Sequence, residues 1–288
     1  MVIFVLRPFC SAPSQWCDGG LGPVREQGPA GMQDSADFVA ENLQQPIQVV
    51  YEDEDFVAVF KPAGVIVHRG PSTLESEPVL LQILRDQLQE FLYPVHRLDR
   101  PTAGLVLMAK SSEIASKLGQ MFMAQSVQKH YQALVRGFMP EECKVDRPLL
   151  HPKYFEERFT GDHPLQPATT HFRSLRRFEV PWPASGFETS RFSLLEIRPE
   201  SGRWHQIRRH LNQLGHPVIG DHRHGDHRWN QMFYQRTGVY RMLLTAMRLD
   251  FRHPTSQEPM TLWVRRGESF DQAIQALETP LEARSADF

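Results

Sequence analysis

The sequence predicts a soluble globular protein of mixed α+β class. Three observations lead there. Strand-like and helix-like segments are interspersed without a strict βαβ beat, which disfavours a doubly wound parallel sheet. No internal repeat is visible, so a solenoid or propeller is excluded. Of 288 residues, 41% are apolar and 23% charged, an ordinary globular balance. No apolar run approaches the ~20 residues of a membrane-spanning helix.

Periodicity begins at Ile47. IQVVY (47–51) and FVAVF (56–60) flank Glu52-Asp53-Glu54-Asp55, which reads as strand, solvated acidic turn, strand rather than as a metal site. VLLQILRDQLQEFL (79–92) has the 3–4 spacing of an amphipathic helix. VHRLDRPTAG follows, too polar and turn-rich for core, and runs into the strand GLVLMAK (104–110). Ser111 or Ser112 then caps a helix, EIASKLGQMFMAQ (113–125). HYQALVRG (130–137) is strand-like. Residues 137–188 are loop-rich apart from THFRSLRRFEV (170–180). RFSLLEIRP (191–199) reads as a strand, WHQIRRHLNQL (204–214) as a helix ended by Gly215, and MLLTAMRLDF (242–251) with MTLWVR (260–265) as closing strands.

Residues 1–45 differ in kind. They hold nine Gly and Pro, two of the three cysteines and no apolar period. They are expected to be a poorly ordered extension, with Met32 as an alternative initiation point, and 277–288 a C-terminal tail. The opening MVIFVLRPF lacks the basic cluster and cleavage pattern of a signal peptide. Three cysteines without metal spacing argue against a disulfide framework and for a reducing cytoplasm. The 32 basic against 34 acidic residues give a formal charge of −2, which excludes a bulk polybasic nucleic-acid binder. Residues 46–276 alone hold 29 basic against 26 acidic, so the tails hide a mild local surplus.

Two polar segments sit beside apolar structure. In His96-Arg97-Leu98-Asp99-Arg100 an Asp is flanked by two Arg, and nearby cations favour the carboxylate. An ionised, partly sheltered Asp suits nucleophilic or base chemistry; by itself the segment would read as a surface salt-bridge loop. The second segment runs from Ser201 to His210. On a helical wheel Trp204, Ile207, Leu211 and Leu214 form the buried stripe, with Arg208 at its border. A guanidinium there wants a carboxylate partner, since leaving it unpaired costs ~3–5 kcal/mol. Arg209 and His205 fall on the opposite, solvated side, available for phosphate. From Arg203 to Arg228 there are five Arg and six His against two Asp, a stretch whose natural partner is a polyanion.

These residues match a family. HRLDRPTAGLVLMAK (96–110) resembles the HRLDRxTSGLLL signature of the RluA-type pseudouridine synthases. SGRWHQIRRHLNQLGHPVIGD (201–221) is similar to their GRxHQIRxHL…HPIxGD element. KPAGVIVH (61–68), QKHYQALVRG (128–137) and the closing HP at His253 follow in the family's order, so the resemblance covers about residues 47–265. The branch without an added S4 domain fits best. VYEDEDFVAVFKPAGVIVHRG, LQPATTHF and HRHGDHRWN are similar to its TruC subgroup, which modifies uridine 65 of tRNA.

The resemblance implies a pseudouridine synthase catalytic fold over 46–276: a mixed, mainly antiparallel sheet with flanking helices and a central RNA-binding cleft. It implies an isomerase acting on an RNA substrate, expected to be tRNA, in the cytoplasm, with no cofactor, metal, membrane or obligatory protein partner. Asp99 takes the place of the essential aspartate, the nucleophile after base flipping. Arg97 stands for the arginine that fills the vacated stack, Tyr131 for the tyrosine under the uracil, and Arg208 for the arginine that pairs with the aspartate. His96, Arg100, Arg203, His205 and Arg209 are expected to contact RNA. Two positions depart: Thr245 stands where many relatives have His, and Ala103 replaces Ser.

Three rival readings differ in outcome. A ribosomal-RNA enzyme of the same family would share every motif. A non-catalytic RNA-binding protein would keep the fold, but Asp99, Tyr131 and Arg208 are all present. His222, His224, Asp226 and His227 spell the HxHxDH zinc signature of a metallo-hydrolase. That fold places the motif early, whereas only 61 residues follow here, with one His.

Overall fold

The acidic tetrad closes a hairpin, β1 (Val49–Glu52) antiparallel to β2 (Phe56–Lys61). Asp53 makes the turn: its Oδ1 accepts the N–H groups of Asp55 and Phe56. The computed structural model describes residues 46–70, 74, 75, 77–151 and 164–279; the expected extension over 1–45 lies outside them. Within them, helix α1 (Leu80–Leu88) is followed by β3 (Tyr93–Pro94) and β4 (Ala103–Ala109). Next come α2 (Ser112–Met123), β5 (Gln128–Arg136), β6 (Glu142–Asp146) and a short pair, β7 (Leu149–Leu150) with β8 (Leu165–Gln166). The long strands β9 (Thr169–Val180) and β10 (Ser190–Pro199) precede α3 (Gln206–Gln213) and α4 (His227–Thr237). Strands β11 (Leu244–Arg252) and β12 (Pro259–Trp263), then α5 (Glu268–Glu278), complete the described fold.

Ten strands form one sheet in the order β1-β2-β4-β11-β5-β10-β9-β6, with β12 on β11 and β3 on β4. Every pairing is antiparallel except β4 with β11, which run parallel through Ala103–Thr245 and Gly104–Ala246. The fold is thus α+β with a mainly antiparallel sheet. Side-chain alternation sends Val57, Val59, Val106 and Met108 to a core under α1, and Phe56, Ala58, Leu105 and Leu107 to a core under α2. Ile197 and Phe172 meet Ile207 and Leu211 of α3. A fourth core gathers Phe178, Trp182 and Phe192 with Trp229 and Phe233 of α4 and Phe270 of α5. No described helix is long and apolar enough to cross a membrane.

Several boundaries differ from the sequence reading for local reasons. Helix α1 stops at Leu88 because Gln89 turns left-handed (φ 56°). Ser111 caps α2, its Oγ accepting from Ile114 N. Helix α3 starts only at Gln206, because His205 is left-handed (φ 50°), so Trp204 is not on its wheel. Its buried stripe is Gln206, Ile207, Arg208, His210 and Leu211. Helix α5 runs two residues past the boundary set at 276, with Leu277 buried. Strand β6 and helices α4 and α5 were not legible; α4 hides in the polar HRWNQMFYQRT, and its cap Asp226 lies inside the zinc-like motif.

The parallel step depends on a glycine. Gly104 has φ +119°, and a Cβ there would lie 2.2 Å from Ala246 O. Gly104→Ala is expected to destabilise the protein by roughly 2–4 kcal/mol, read as a lower urea midpoint at unchanged slope.

Candidate active site

Asp99 stands in the loop between β3 and β4, on a turn closed by Thr102 N donating to Asp99 O. The loop alternates between anchors and free ends. His96 turns inward: its Nε2 accepts the Leu107 N–H at 3.0 Å, and its ring stacks on Phe122 of α2 at 4.3 Å. Leu98 is buried. Arg97 is exposed, and no hydrogen bond or ion pair within the described residues involves it. Arg100 binds Gly64 O through Nε and Glu77 through Nη1 at 2.6 Å.

Beneath this loop lies Lys61, fully buried at the end of β2, which the sequence reading did not single out. Its Nζ donates to Pro62 O, Val65 O and Arg100 O. Three carbonyls match the three protons of an ammonium. Burial pushes its pKa down to about 7, against the pull of Asp99.

Helix α3 brings the counter-charge. It is docked by polar anchors: Gln206 Nε2 donates to Thr169 O and to Thr170 Oγ1, and His210 Nδ1 is 2.9 Å from the same hydroxyl. This holds Arg208 with its side chain only 4% exposed. Arg208 Nη1 donates to Asp99 Oδ2 at 3.0 Å. Its Nε and Nη2 grip Asp221 bidentately at 2.7 and 2.8 Å. Against the cost of burial, these two carboxylates raise the guanidinium's pKa. Hydrogen bonds from Arg208 and from His224 N, working against burial, hold Asp221 below the usual carboxylate range. The wheel thus identified Arg208 as needing a carboxylate but missed that it has two. Asp221 was legible only as the last letter of HPVIGD. It is aimed by Gly220 (φ +79°), where a Cβ would sit 2.0 Å from Arg241 O.

Tyr131 lies mid-sheet on β5 between Ala246 of β11 and Ile197 of β10. Burial, then the charge of Asp99, push its phenol pKa up, so it stays protonated. His205 faces the site with its Nε2 3.8 Å from Asp99 Oδ2. Thr245, on β11 beside Ala103, is buried and bonded to Arg241 and Arg266 O.

The structure therefore brings Asp99, Arg208 and Tyr131 together and corrects three other expectations. His96 is a packing residue, its imidazole spent on the Leu107 N–H and the Phe122 ring. Arg100 clamps the loop through Nε and Nη1, with 35% of its side chain exposed. His205 does not point to a solvated face, being 12% exposed and turned toward Asp99. The flanking Arg97 and Arg100 are not the ion partners of Asp99; Arg208 is. At the rim, Arg203 Nε donates to Pro167 O and Arg209 Nη1 to Leu150 O. Arg223 lies over the Trp204 ring at 4.8 Å.

The zinc-like motif is spent on other work. Asp226 caps α4 and pairs with Arg136 at 2.6 Å, His222 packs on Tyr240, and His224 bonds His205. Among the described residues no three His, Cys, Asp or Glu groups converge as a metal would require.

This fold and this site are those of an RNA-modifying isomerase family. Residues 55–213 match the family described as RNA pseudouridylate synthase, and the chain belongs to it. Among curated relatives, "tRNA pseudouridine synthase C" of Vibrio vulnificus (strain CMCP6) is 39% identical over 236 residues, covering 81% of this chain and 96% of that one. The protein of that name from Pectobacterium carotovorum subsp. carotovorum is 42% identical over 221 residues; the match covers 76% of this chain but only 59% of the relative's length. The solved structure of human RNA pseudouridylate synthase domain containing 4 shares the fold, with TM-score 0.61 at 23% identity over 85% of this chain and 98% of that one.

Two stability outcomes follow from the geometry. Asp221→Ala strands Arg208 Nε and Nη2 in the interior and is expected to cost about 3–5 kcal/mol in urea unfolding. His96 has a pKa lowered to about 3 by burial and then by Lys129. The unfolded chain therefore binds a proton that the folded one refuses between about pH 6.5 and 3, so stability falls as pH drops through that window. His96→Gln, whose amide oxygen still accepts the Leu107 N–H, should fall less steeply in denaturation series across those pH values.

Proposed function

We propose that this protein is a tRNA pseudouridine synthase that isomerises uridine 65, with Asp99 as the reacting carboxylate. The observation that carries the reading is Asp99 ion-paired to a buried Arg208, with the protonated Tyr131 close enough to feel its charge. The names and similarity of the curated relatives support tRNA as the substrate class, and a cytoplasmic setting goes with it.

The reaction breaks N1–C1′ of uridine, turns the base and joins C5 to C1′. A proton leaves C5 and one is gained at N1, so atoms balance with no group added and the stoichiometry calls for no cofactor. Asp99 attacks either C6 of the uracil or C1′ of the ribose, its side chain 27% exposed and thus reachable from the cleft. The uridine must first leave its stack, at a cost of a few kcal/mol. Exposed and unengaged, Arg97 fills the gap that the base vacates. Tyr131 stacks under the flipped uracil, a contact worth roughly 1–3 kcal/mol. Arg208 orients Asp99 and balances its charge. Arg209 and Arg223, both over the Trp204 ring, and the neighbouring Arg203 suit the phosphate backbone.

Tritium release from tRNA carrying 5-³H-uridine, with purified protein and no methyl donor, tests the reading, because isomerisation displaces that hydrogen without a co-substrate. Asp99→Asn is expected to abolish release while leaving tRNA binding and the melting temperature near wild type. Arg97→Ala should keep the fold and lower kcat/KM by about tenfold or more. Pseudouridine mapping of total RNA with and without the gene should lose the signal at uridine 65 of tRNA; loss of a ribosomal signal instead would overturn the substrate assignment.

A further inference from the structure

The Asp99 oxygen that Arg208 holds is also approached by one imidazole of a pair. His205 Nε2 is 3.8 Å from Asp99 Oδ2, and its Nδ1 is 2.8 Å from His224 Nε2. Both rings are held in place. Trp204 stacks on His205 with centroids 3.7 Å apart. His224 N donates to Asp221 Oδ1, the carboxylate that also grips Arg208. Burial, then Arg208 and His224, push the His205 pKa down to about 2; burial brings His224 to about 4 despite Asp221. Both rings are therefore neutral near pH 7.

A 2.8 Å contact between two neutral imidazole nitrogens holds one proton, on one side or the other. Were it on His205 Nδ1, the lone pair of His205 Nε2 would face the Asp99 carboxylate. With His224 donating, the proton of His205 sits on Nε2 and points at that carboxylate. Electrostatics selects the second arrangement.

We infer that His224 and His205 form a neutral hydrogen-bonded pair that positions Asp99, His224 fixing the tautomer of His205 and His205 Nε2–H orienting Oδ2. At 3.8 Å this last contact is longer than a hydrogen bond, so His205 acts on Asp99 through the dipole of its N–H. Arg208 holds Asp99 by charge; a neutral donor adds direction without further quenching the nucleophile. The inference rests on the reading of Asp99 as the reacting carboxylate, which makes His224 and His205 positioning residues.

Two measurements test it. Long-range ¹⁵N–¹H NMR of the histidine-labelled full chain should show His205 as the Nε2–H tautomer at pH 7; the Nδ1–H tautomer would overturn the pair as drawn. In tritium-release kinetics, His224→Ala should lower kcat about tenfold with KM within about twofold, and His224→Gln, whose amide can still donate to His205 Nδ1, should restore most of it. An unchanged kcat in His224→Ala, or a loss that Gln does not restore, would overturn the positioning role. A wild-type protein that releases no tritium would instead remove the functional reading, and the positioning role with it.

Discussion

A buried guanidinium shared by two carboxylates is the interaction around which this structure is arranged. Arg208 is 4% exposed and Asp221 1%, so neither charge survives without the other. The bidentate pair engages Nε and Nη2 and fixes the plane of the guanidinium, and Nη1 of that fixed group donates to Asp99. Asp99 is therefore placed by a partner whose own position is over-determined.

The surrounding architecture keeps both ends of that pair still. On one side Gln206 and His210 dock α3 to β9 by hydrogen bonds where apolar packing alone would allow sliding. On the other, Lys61, Arg100 and His96 tie the Asp99 loop to three separate elements. The polar residues of the two motifs thus divide their labour. Most hold the backbone, and few face the cleft. A motif dense in Arg and His need not be dense in ligand contacts, because buried backbone carbonyls and N–H groups compete for the same side chains.

How much was legible follows the range of the physics involved. Strands β1, β2, β4, β5, β9, β10, β11 and β12 and helices α1 and α2 lie within a few residues of their expected places, because local periodicity and caps report them. Strand β6 escaped because five mixed residues, ECKVD, carry no clear period. The wheel drawn for 204–214 failed at its first residue, since a left-handed His205 detaches Trp204 from the helix. Arg208 was readable as a cation needing a partner, and the motifs singled out Asp99 and Tyr131.

By itself, then, the sequence determined the α+β class and the family resemblance, since these depend on local pattern, and through that resemblance it pointed to Asp99, Tyr131 and Arg208. Only the tertiary structure decided that Asp221 is the second partner of Arg208, and that His96 and Arg100 anchor the Asp99 loop. It alone decided that His205 turns inward to meet His224 and Asp99. Each of these depends on which side chain across the fold reaches a given hydrogen-bonding group first. Asp99 and Arg208 are 109 residues apart in the chain, and no local pattern encodes that competition.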